Sequence, residues 1–90
     1  MNVAVSQPKP IALNLLLRSQ RAIVSDVAWD DLSEPEARRL RELGLDEGVE
    51  VELLHRAGML GGPIACRIGR MTVALRRHVA HAVHVHPLAH

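Results

Sequence analysis

Phe and Tyr are absent from these 90 residues, and Trp29 is the single large aromatic side chain. Single-stranded nucleic acid is usually gripped by stacked aromatic rings, so that function is disfavoured. Charge of one sign is lacking too. Eleven basic residues face ten acidic ones for a formal charge of +1, which leaves no global footprint for DNA or RNA. The one cysteine, Cys66, has no partner for an intrachain disulfide, as expected in a reducing compartment. No apolar run approaches the ~20 residues a membrane helix needs. The first ten residues hold two prolines and neither a charged start nor an apolar stretch, so they do not read as a secretion signal. The expectation is a cytoplasmic protein that is not embedded in a membrane.

What is present suffices for one domain. Apolar residues make up 48% of the chain, a globular composition whose core must be built from Val, Leu, Ile, Met and Ala. Residues 1–10 read as a flexible tail and 11–90 as a single domain. The segment 11–17 is apolar and short, fitting either a helical turn or a strand. Ala22 to Trp29, rich in Val and Ile, reads as the first strand. Ser33-Glu34-Pro35-Glu36 has the form of a capping box with Pro in the first turn. Ala37, Leu40 and Leu43 follow at helical spacing, Arg38, Arg39, Arg41 and Glu42 fall elsewhere on the cylinder, and Gly44 stops the helix.

After Gly48 the period drops to two. Val49, Val51 and Leu53 alternate with glutamates. Ile64, Cys66 and Ile68 follow the Gly-rich turn 58–63, and Met71, Val73 and Leu75 follow the turn Gly69-Arg70. Arg76 to Ala80 breaks the pattern before Val83 and Val85 restore it. One apolar face per strand at this spacing predicts a mainly β fold, a small closed barrel of five strands with one short α-helix between the first and second.

These segments resemble the FeoA family. The resemblance rests on Arg38-Arg39-Leu40-Arg41-Glu42-Leu43-Gly44-Leu45-Asp46-Glu47-Gly48, the Val-x-Val strand, Leu60-Gly61-Gly62-Pro63-Ile64, Val73-Ala74-Leu75-Arg76-Arg77 and Ala82 to Val85. Glu47 stands where the family often has Pro, and Gly62 where it usually has an acidic residue. The resemblance implies an SH3-like barrel and an accessory role in bacterial ferrous-iron uptake, by binding the cytoplasmic part of the FeoB permease and its GTP-binding domain. The same fold occurs as the metal-responsive domain of DtxR-type repressors, and a nucleic-acid-binding SH3-like barrel is a further alternative.

No triad or phosphate-loop signature is present, so no enzyme is expected and no catalytic residue is named. Cys66 alternates with core positions and should be an inert, buried thiol. The candidate partner surface combines the apolar Met59-Leu60 tip with Arg67, Arg70, Arg76 and Arg77. Those arginines serve equally as a rim paired to Glu50 and Glu52, and the tip could instead fold over the barrel mouth. Five of the six histidines lie from His78 onward. His84 and His86 share the outer face of one strand, where two imidazoles could hold zinc. Two ligands are too few for a closed site. Cofactors are therefore not required, and any zinc is adventitious or bridges a metal-promoted homodimer.

Overall fold

The structure, a computed structural model, describes residues 9–58 and 61–89. Six antiparallel strands form one sheet: β1 (Ile11–Ala12), β2 (Arg21–Val27), β3 (Glu50–Arg56), β4 (Ile64–Ile68), β5 (Met71–Leu75) and β6 (Val83–Pro87). Their spatial order is β1-β6-β2-β3-β4-β5. Two helices interrupt them, α1 (Glu34–Glu42) between β2 and β3 and α2 (Arg77–His81) between β5 and β6.

The mainly β class agrees with the sequence. The strand count and the helix placement do not: α1 falls between the second and third strands, and α2 is a further helix where one was expected. The 11–17 segment becomes a two-residue strand beside β6, followed by a 3₁₀ turn at Leu13–Leu15. The ladder is also open between β1 and β5, where closure was expected. β1 is too short to span a second neighbour, and β5 ends where Arg76 turns the chain into α2.

α1 starts and stops as its sequence dictates. Glu36 N–H donates to Ser33 Oγ at 3.2 Å, and Ser33 N–H donates back to Glu36 Oε1 at 2.9 Å. Gly44 adopts φ +81°, which costs little without a Cβ. Leu45 N–H then reaches Leu40 O and Gly44 N–H reaches Arg41 O, each at 3.0 Å, closing a Schellman turn. Leu40 and Leu45 are fully buried, so the helix is held by docking.

Two β-bulges set which side chains face inward. On β2, Val24 opposes Val85 and Asp26 opposes His84, which leaves Ser25 as the extra residue. Its hydroxyl donates to the His84 carbonyl at 3.2 Å. The bulge explains why Ala22, Val24 and Val27 are all buried although the last interval is odd. On β3 the extra residue is Leu54, between Leu53 opposite Cys66 and His55 opposite Ala65.

The core gathers Val51, Leu53, Ile64, Cys66, Ile68, Leu75, Val83 and Val85 from the sheet with Leu13, Leu16 and Leu40. Val73 is only half-buried against it, and Met71 is exposed. Both lie on the edge strand β5, which has no further neighbour to cover them.

Candidate functional site

The ladder brings one end of the sheet together. Arg56 opposes Ile64 and Ile64 opposes Leu75, so Gly61 to Pro63 lie beside the start of α2. Arg76 is extended and caps α2. The Arg77 side chain runs over Gly61, close enough that a Cβ there would sit 3.0 Å from Arg77 Cδ. Gly61 also has φ +81°, so two constraints favour glycine at this position. An open cleft forms between loop and helix, lined by Asp31, Pro63, Arg76, Arg77, His78 and His81. His78 and His81 share a face of α2 because they are three residues apart.

The four arginines expected to act as one patch are separated. Arg70 lies in the β4–β5 turn, whereas Arg76 and Arg77 follow the far end of β5. Six residues of extended chain put about 20 Å between Arg70 and Arg76. Arg67 forms a rim pair, Nη1 to Glu52 Oε1 at 3.4 Å, and Arg21 takes Glu50 at 3.3 Å. Among the described residues neither Arg76 nor Arg77 has a carboxylate partner. Met59 and Leu60, the expected apolar tip, lie outside the described residues.

His84 and His86 are half-exposed on the outer face of β6. His84 Nδ1 lies 3.1 Å from Asp26 Oδ2. Hydrogen bonds from His84 and then Ser25 hold the Asp26 carboxyl below its ordinary value. Among the described residues no three His, Cys, Asp or Glu side chains converge on a metal position. One chain therefore offers only part of a zinc shell here. Cys66 is fully buried, and burial pushes its thiol up to about 11. It is protonated at neutral pH and out of reach of solvent.

Three features of this end of the molecule were not foreseen. His81 enters the cleft because the break at Arg76 to Ala80 is a helix, too short for periodicity to reveal. The His78-x-x-His81 spacing was its available signal. The bulge at Leu54 places Arg56 opposite Ile64, and its guanidinium donates to the carbonyls of Asn14, at 2.8 Å, and of Leu16. Leu15 and Leu17, in the segment those bonds hold, are 58% and 70% exposed.

Solved structures share this architecture. FeoA from Chlorobium tepidum is 35% identical and aligns over 88% of this chain and 71% of its own, with TM-score 0.76. FeoA from Stenotrophomonas maltophilia, complexed with zinc and described as a prokaryotic SH3 domain protein, is 35% identical over 83% of this chain and 88% of its own, with TM-score 0.70. A manganese-dependent transcriptional repressor is 21% identical and aligns over 92% of this chain but 39% of its own, with TM-score 0.76, a likeness of fold alone. No curated protein matches the chain. The sheet is thus SH3-like, and the FeoA domain family model matches residues 11–87. The chain belongs to the FeoA family, associated with ferrous iron transport.

Proposed function

We propose that this protein is a cytoplasmic accessory module of bacterial ferrous-iron uptake that binds the cytoplasmic part of a FeoB-type permease, its GTP-binding domain included. The observation that carries this reading is the family match over residues 11–87, which spans nearly all of the described fold. The chemistry of the chain is consistent with contact and not turnover. Its one thiol is buried and protonated, and an open cleft beside α2 carries Arg76 and Arg77 in its lining. No helix among the described residues is long and apolar enough to cross a membrane, so the permease would supply the membrane component. Ferrous iron is the transporter's cargo in this scheme. Docking needs no cofactor in this scheme, and zinc at His84 and His86 is either adventitious or a bridge between two copies.

Met59 and Leu60 remain proposed contact residues together with the arginines. The test is a titration of the protein against the isolated cytoplasmic domain of a FeoB-type permease. Saturable binding is expected, weakened about 30-fold or more by Leu60→Asp if the tip is a hot spot. Absence of any binding by the wild-type protein would sink the reading.

A further inference from the structure

We propose that the cleft between Gly61–Pro63 and α2 is a docking site for an extended, acidic protein segment, clamped by Arg76 and Arg77 and flanked by His81. The inference rests on the reading above for the source of the segment, the permease. It goes beyond it in naming the chemistry recognised and in placing the main clamp at Arg76 and Arg77 among the proposed contact arginines.

Charge distribution supplies the first argument. Arg21 and Arg67, on β2 and β4, are already paired with Glu50 and Glu52 of β3. Arg41 on α1 lies with its guanidinium carbon 4.3 Å from the Trp29 ring centroid. The guanidiniums of Arg76 and Arg77 have no such partner among the described residues and line one cleft. Two acids stand near them, Asp31, which ends a second 3₁₀ turn at Trp29–Asp31 and lines the cleft, and Glu36 of α1, which His78 engages at 2.6 Å. The neighbouring depression adds Arg39 of α1 beside Arg76. Two unpaired guanidiniums, with Arg39 beside them, outnumber the one unpaired acid, Asp31, and favour carboxylates from outside.

Placement supplies the second argument. Arg77 lies over Gly61, where a Cβ would come within 3.0 Å of its Cδ and Nη1, so its guanidinium forms one wall of the cleft against the loop backbone. The size of the site supplies the third. At about 850 Å3 and open to solvent, the cleft far exceeds what one anion fills and has room for several residues of chain.

The experiment titrates isotopically labelled protein with a hexaglutamate peptide, following backbone amide shifts by NMR. Inorganic phosphate at matched charge and the permease's cytoplasmic domain are titrated in parallel. Expected are saturable, salt-sensitive peptide shifts at Gly61, Arg77, His78 and His81 with little change at Gly69 and Arg70. R76E/R77E should weaken both peptide and permease-domain binding at least tenfold, and R67E/R70E less than twofold. A milder R76A/R77A variant and thermal melts guard against a folding defect. Peptide shifts spread over all arginines, or equal losses from the two pairs, overturn the proposal. So does phosphate that saturates the same amides more tightly than the peptide. Permease binding that survives R76E/R77E while peptide binding is lost also overturns it, yet leaves the accessory role standing.

Discussion

His78 Nε2 on α2 stands 2.6 Å from Glu36 Oε2 in the first turn of α1, so one carboxylate both completes a helix cap and ties the two helices together. The Ser33 backbone N–H and then the His78 imidazole hold the Glu36 carboxyl below its ordinary value of 4.5. A carboxyl depressed in the folded state binds its proton less readily there than in the unfolded chain. Its stabilisation is complete above the unfolded value and is lost as pH falls through the lower folded value. Glu36→Gln keeps an oxygen for the cap and removes the charge. Urea midpoints measured from about pH 6 to pH 3 should therefore fall less steeply in this variant than in the wild type. Parallel curves would show that Glu36 is not the linked group.

α1 is held by its buried face. Leu40→Ala should cost about 2–5 kcal/mol, since the fully buried side chain leaves a cavity that the surrounding core fills poorly. Arg41 reads from sequence as a bystander, but its guanidinium covers Trp29. Arg41→Ala should therefore cost about 0.5–1 kcal/mol, the range for an exposed cation–π pair. It should also change Trp29 fluorescence. Equal urea midpoints for the two variants would mean that the helix docks by another face.

Cys66 should be silent in the native protein. With the thiol pushed up to about 11 and fully buried, an aromatic disulfide reagent at pH 8 should react only through global unfolding. The reaction rate should rise steeply near the urea midpoint. Rapid stoichiometric labelling of the folded protein would contradict the burial.

Zinc should bind at the outer face of β6 only when two copies contribute. Calorimetry at neutral pH should show binding that disappears in H84A/H86A, and light scattering should show a zinc-dependent rise in mass. Asp26, 3.1 Å from His84, is the adjacent carboxylate available to such a bridge. Unchanged mass at saturating zinc would remove the dimer, and binding that persists in the double variant would place the ligands elsewhere.

Most of the strands and the long helix were legible in the chain itself. Ser33, Pro35, Glu36 and Gly44 mark α1 through hydrogen bonds and dihedral preferences that involve only near neighbours. The alternation at Val51, Leu53, Ile64, Ile68, Val83 and Val85 reports a face buried on one side. β1 and α2 escaped because two and five residues are too few for any period to repeat. Met71 kept the right alternation yet came out exposed, because pattern reports a face and says nothing of whether the strand has an outer neighbour.

The sequence by itself determined the class of protein: mainly β, with an aliphatic core, a capped helix and an inert thiol. Those properties follow from composition, from short-range backbone chemistry and from the two-residue period of a half-buried strand. Tertiary structure alone decided which charges share a surface. Arg70 and Arg76 are six residues apart, but a hairpin strand carries them to opposite ends of the sheet. Arg77 and Gly61 are distant in the chain, but the ladder through Ile64 and Leu75 sets one upon the other. Local preferences cannot encode that choice, because register and bulges arise from strand pairing between segments far apart in the chain.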